Sequence, residues 1–131
     1  DSRPISWRQA AQLPLALLSR EMLNRRFIDQ VFTSIGATPQ VRLEGDSILS
    51  LLTHVESGLC SAILPRSSLS TLPGLWGLSV RQLVEPIVTH AVGLVMLREL
   101  ANTPAGQQLD ALVRSPQVQA RFSRFSRPAG R

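Results

Sequence analysis

The sequence predicts an α/β fold built around a mostly parallel sheet, and three observations predict it. Short apolar runs alternate with amphipathic helical stretches over residues 13–64, in the order strand, helix, strand, helix, strand. That order needs crossover connections, which leave consecutive strands parallel. The first run, "LPLALL" at residues 13–18, is apolar without a break, as in a strand buried on both faces. Gly36, Pro39, Gly58 and Pro65 stand where the elements should stop.

Each element follows from its own residues. After the first strand, "SREMLNRRFIDQVFTSIG" places Phe27, Ile28, Val31, Phe32 and Ile35 at three- and four-residue spacing, which marks a helix with one apolar face. Gly36 is a left-handed cap for it. "QVRLEG" alternates Val41 and Leu43 with polar residues, as a strand does. Asp46 or Ser47 is expected to cap the next helix, along which Ile48, Leu51, Leu52, Val55 and Leu59 keep helical spacing up to the stop at Gly58. "CSAIL" reads as the third buried strand, ended by Pro65. A Ser-, Pro- and Gly-rich loop is expected over residues 66–77. "LSVRQLVEP" and "HAVGLVML" read as two further strands. Thr103-Pro104 is a helix start, with Ala105, Leu109, Leu112 and Val113 on its apolar stripe. Ser115-Pro116 repeats that start signal, and Val118, Phe122 and Phe125 suit a last short amphipathic turn or two.

At 131 residues with 44% hydrophobic content, the chain is the size of one ordinary folded domain. No apolar run approaches the roughly 20 residues of a membrane helix. The opening "DSRPISWRQ" has neither an initiator Met nor a signal pattern and reads as a fragment boundary. The lone Cys60 permits no internal disulfide and reads as a small core residue in a reducing compartment. The net charge of +5 is a property of the tail. Residues 1–113 carry nine Arg and nine acids, while Arg114, Arg121, Arg124, Arg127 and Arg131 supply the excess. A balanced body does not offer the shaped basic face that phosphate binding needs.

Reactive residues are few. His54 and His90 lie far apart with no Cys partner, so no metal site is expected. No nucleophile elbow, phosphate-binding glycine loop or zinc-protease helix occurs, and no cofactor or enzyme chemistry is expected. In an open parallel sheet ligands gather at the carboxyl ends of the strands. Those edges are residues 19–24, 46–47 and 65–67, of which the first is the longest and most polar. There Arg20, Arg25 or Arg26 could hold a carboxylate or sulfate, and the alternative is a Ser cap with a solvated Arg-rich helix face.

The order of residues 6–67, a Leu-Pro-Leu strand ending in Ser, an Arg-bearing helix closing in Phe-x-x-x-Gly-x-x-Pro, a Glu-x-Asp-Ser step and "V-x-x-G-L-x-x-x-I-L-P", resembles the second lobe of the effector-binding domain of LysR-type transcriptional regulators. The likeness extends to about residue 113. It implies a type II periplasmic-binding-protein-like α/β lobe, Rossmann-like, with helices on both faces and truncated relative to the full two-lobe domain. Residues 1–89 then form the second lobe, 90–113 the strand and helix that return to the first lobe, and 114–131 a basic tail. The helix-turn-helix domain and most of the first lobe lie outside this chain. The resemblance further implies a cytoplasmic homo-oligomer that binds a small, anionic effector between its lobes and DNA through the absent domain. Carried to this sequence, it puts Ser19, Arg20, Met22 and Asn24 at the effector site, with Val55 as a wall residue. Gly58 and Pro65 are then scaffold. A solute-binding protein outside the cytoplasm and a plain oligomerisation module are the competing readings.

Overall fold

The computed structural model describes residues 3–70, 77–89 and 93–126. The chain divides into two compact units, Asp1–Val88 and Thr89–Arg131. The first carries β1 (Ile5–Ser6), α1 (Trp7–Ala10), β2 (Pro14–Leu18), α2 (Leu23–Ser34), β3 (Gln40–Gly45), α3 (Ile48–Glu56), β4 (Ser61–Ala62), α4 (Arg66–Ser70) and β5 (Leu83–Val84). Three strands form a parallel sheet in the order β3-β2-β4, and β1 pairs in parallel with β5. The expected alternation over residues 13–64 is therefore present, although of residues 60–64, expected as a buried strand, only Ser61–Ala62 is strand and both are half-buried.

The strand β2 is the centre of this unit. Its residues 15–18 are all buried, and their alternation feeds two separate cores. Leu15 and Leu17 face α2, where they meet Ile28 and Phe32, with Trp7, Ala11 and Ile63 completing the cluster. Ala16 and Leu18 face the other way, onto Leu51 of α3. A strand with period-2 side chains can be apolar throughout only if both faces are covered, and here they are. The helix α2 ends in a Schellman pair: Gly36, at φ 63°, donates to the Thr33 carbonyl at 3.1 Å and Ala37 to that of Phe32 at 2.9 Å.

The pairing of β2 with β3 slips by one residue between Leu15 and Ala16, so Arg42 is an extra residue on β3. The bulge turns the strand over. Val41 packs on the α2 side but Leu43 on the α3 side, and Glu44, opposite Leu17, then comes back to the α2 side. Simple alternation predicts Val41 and Leu43 on one face, and the bulge is why they are not.

The ribbon of β1 and β5 is held by side chains as well as by its ladder. Arg81 donates from Nε to the Arg3 carbonyl at 2.7 Å and from Nη2 to that of Pro4 at 3.2 Å. Trp7 donates from Nε1 to the Pro86 carbonyl at 2.9 Å, and its ring meets Phe32 edge to face at 5.3 Å. Ser6 and Gln9 form a capping box around α1.

Three expectations need correction. Of residues 78–86 only Leu83–Val84 is strand. Of "HAVGLVML", residues 90–92 lie outside the described ones and 93–97 form no strand. A strand exists by virtue of a neighbour, and no described residue gives 93–97 an edge to pair with. The loop at 66–77 contains α4, opened by Ser68 donating to the Pro65 carbonyl at 3.0 Å; residues 71–76 lie outside the described ones.

The second unit contains α5 (Arg98–Ala101), α6 (Pro104–Arg114) and α7 (Pro116–Ser126). Thr103 caps α6 as expected, its hydroxyl accepting from the Gly106 N–H at 3.1 Å with Pro104 in the first turn. The tail expected to form a turn or two is an eleven-residue helix. Among the residues of this unit whose burial is described only Gly106 is buried, while Val95 is 93% exposed and Leu97, Leu100 and Leu112 are also open. No helix of the described residues is long and apolar enough to cross a membrane.

Candidate functional site

The connections after β2 and β3 leave the sheet on opposite sides. The first leads into α2 on the face of Leu15 and Leu17, the second into α3 on the face of Ala16 and Leu18. The strand order β3-β2-β4 reverses at β2, and open α/β sheets bind ligands at the carboxyl ends of the strands at such a reversal. Between β2 and β3 this edge is a seam, with Leu18 still paired to Gly45.

Ser19 bridges it. Its N–H donates to the Gly45 carbonyl at 3.0 Å and its hydroxyl donates to the Asp46 carboxylate. Asp46 is thereby taken, and the cap expected of Asp46 or Ser47 is not made: Ser47 begins α3 without a side-chain bond to it. The chain then turns, with Met22 donating to the Ser19 carbonyl at 3.0 Å, and enters α2. Met22 stands at the helix N-cap, and its thioether offers no cap. The first N–H groups of α2 thus point to the edge without a side-chain acceptor, at the positive end of the helix dipole.

Arg20 and Met22 are exposed at this turn, and Ser19 and Asn24 are half-buried. The Asn24 Nδ2 is itself buried and makes no hydrogen bond. An orphaned donor of this kind is uncommon in folded proteins and costs about 1–3 kcal/mol. The structure thus brings Ser19, Arg20, Met22 and Asn24 to one edge. It does not bring Val55 there. Val55 lies in the last turn of α3, seven residues beyond Ile48, and therefore about 10 Å of helix from the edge.

Of the three arginines weighed as anion holders, Arg25 is occupied. Only 2% exposed, it donates from Nη1 to the Leu18 carbonyl at 2.9 Å, from Nε to Asp29 at 2.9 Å and from Nη2 to Glu44 Oε1 at 3.0 Å. Burial pulls its pKa down, but the bonds to Asp29 and Glu44 outweigh this and leave the guanidinium above its ordinary value, so it stays charged. Arg20, with a 76% exposed side chain, lies 3.7 Å from the same Glu44 oxygen. Arg26 is exposed on the helix surface. The sequence held a signal for Arg25: it shares a helical stripe with Ile28 and Phe32 and has Asp29 four residues on. The thiol of Cys60 and the imidazole of His54 have structural places. Cys60 packs beside the α3 core, and burial pushes its thiol pKa up. His54 bonds through Nδ1 to the Ser50 carbonyl of its own helix.

A small parallel sheet with a helix on each face defines an α/β lobe of the doubly wound kind. A family model described as the LysR substrate binding domain matches residues 1–115, and the chain belongs to that family, whose fold is periplasmic-binding-protein-like. The chain is 26% identical over 114 residues to a Synechococcus elongatus protein named as a probable nitrogen assimilation transcriptional activator, a match covering 87% of this chain and 37% of that protein. The chain therefore spans little more than a third of that relative's length.

Proposed function

We propose that this chain is the effector-sensing part of a LysR-type transcriptional regulator, and that it binds a small anionic molecule at the carboxyl edge of β2 and β3. Its role is binding, with no bond made or broken. The observation that carries the reading is the reversal of strand order at β2, with the polar Ser19 turn at that strand's carboxyl end. The uncapped start of α2 and the exposed Arg20 offer donors there, and an anion is what such a set complements.

In this reading residues 1–89 are the second lobe, 90–113 return to a first lobe, and 114–131 are a tail. The whole protein is a cytoplasmic homo-oligomer whose separate DNA-reading domain responds to the effector. Membership of the LysR family favours this over the solute-binding reading. A ligand that touches two lobes biases their arrangement only by its difference in affinity between arrangements. Val55, at the far end of α3, is not part of the site proposed.

The test is operator binding by the whole protein across a panel of small carboxylates and their uncharged amides. A carboxylate that changes operator affinity, with its amide inert and the response lost in Ser19→Ala, is the expected result. A panel in which only neutral molecules act, or in which Ser19→Ala responds like the parent, counts against it.

A further inference from the structure

Arg25 and Glu44 meet at the edge in a way that the scaffold alone does not require. One carboxylate oxygen of Glu44 faces two guanidinium groups: Arg25 Nη2 at 3.0 Å and Arg20 Nε at 3.7 Å. The two are unequal. Arg25 is buried and tied by two more bonds, to the Leu18 carbonyl and to Asp29, so it cannot leave. Arg20 has one loose contact in solvent, and such a contact is easily exchanged.

We propose that Arg25 and Glu44 form a positioning pair for the effector edge, in which Arg25 neutralises and pins Glu44 so that an arriving anion takes Arg20 by exchange with a carboxylate that cannot follow it. This rests on the effector site proposed above. Four acids stand at or near the edge; three have a donor within the chain, Asp46 from Ser19, and Asp29 and Glu44 from Arg25, while Glu21 in the turn itself is exposed. Without Arg25, Glu44 becomes an uncompensated charge that both repels the incoming anion and competes for Arg20. Arg25 also closes the chain from Leu18 to its own position, because its Nη1 holds the carbonyl at which the turn begins. Neither residue touches the anion; both act through Arg20 and the turn.

The test uses the full chain and sulfate as the probe, titrated at constant ionic strength against chloride and followed by NMR at the Arg20 Nε–H and the amides of residues 19–25. The unaltered protein shows a saturable shift. Glu44→Gln, which keeps the acceptor for Arg25 but removes the competing charge, lowers the sulfate midpoint by up to about fivefold, the span of a solvent-exposed ion pair. Arg25→Met raises the midpoint or abolishes saturation, and Arg25→Met with Glu44→Gln restores it. A purely structural Arg25 predicts instead that the double variant behaves like Arg25→Met alone, and that result overturns the proposal. So does a Glu44→Gln midpoint equal to the parent's, which decides the matter alone should Arg25→Met fail to fold. Absence of any saturable shift in the unaltered protein likewise overturns the exchange. The effector reading stands or falls separately, on the operator response: failure there with sulfate exchange intact removes the effector but leaves the pair.

Discussion

The Ser19 hydroxyl donates to the Asp46 carboxylate, tying the turn after β2 to the turn after β3 just beyond the paired ends of the two strands. Each residue follows the last position of a buried or paired strand, so the bond fixes the relative height of two strand ends. Ser19→Ala and Asp46→Asn should each lower stability by about 1 kcal/mol in urea unfolding, the scale of one polar pair. Amides at residues 46–48 should exchange faster in both. Unchanged exchange there means that the bond does not hold the two turns.

Arg25→Ala leaves the Leu18 carbonyl, Asp29 and Glu44 without their common donor. Truncating one partner of a buried ion pair costs about 3–5 kcal/mol, but both acids are some 40% exposed and regain water, so about 2–3 kcal/mol is expected here. Urea unfolding measures it. A loss below about 1 kcal/mol contradicts the bracing role.

Sequence reading reached the strand β2, the apolar stripe of α2, the stop at Gly36 and the cap at Thr103, because each is decided by residues within a few positions of one another. It marked residues 19–24 as an edge through the strand end they follow, while the choice of Ser19, Arg20, Met22 and Asn24 among them came from the family resemblance. It placed Arg25 among the anion holders because an arginine's destination depends on what lies opposite, here Leu18 and Glu44. The bulge at Arg42 left no local mark, yet it decides that Glu44 faces Arg25. Residues 93–97 are apolar enough for a strand, but pairing is not a property that five residues carry alone.

Burial holds the Cys60 thiol above its ordinary pKa, so the neutral form is favoured in the folded chain. The sign follows: this stabilisation is present in full below the thiol's unfolded pKa and fades as pH rises through the folded one. Alkylation by iodoacetamide at pH 8 should be several-fold slower in the folded protein than in urea, and should accelerate on raising the pH. Equal rates in both states contradict the packing of Cys60 beside Leu51 and Leu64.

At Gly106 an added methyl group would sit 1.9 Å from the Leu100 carbonyl oxygen and 2.8 Å from its carbon, both backbone atoms. The two helices α5 and α6 approach through that glycine. Gly106→Ala should therefore speed amide exchange across residues 98–114 while leaving residues 14–62 as protected as before. Equal protection in both stretches contradicts the close approach.

Val95, Leu97, Leu100, Leu109 and Leu112 expose apolar surface within one short unit. Patches of this kind promote association. Light scattering on the 131-residue chain should show concentration-dependent assembly at micromolar levels, diminished by Val95→Ser with Leu97→Ser. A clean monomer with residues 93–113 well protected contradicts it.

Amide shifts provide the most direct test of where the effector sits. A small anion that alters operator binding by the whole protein should, when titrated, move the amides of residues 19–25 and 46–48 with the same midpoint as the operator response. An anion with that regulatory effect whose binding leaves those amides unmoved would contradict the assignment of the site to the edge of β2 and β3.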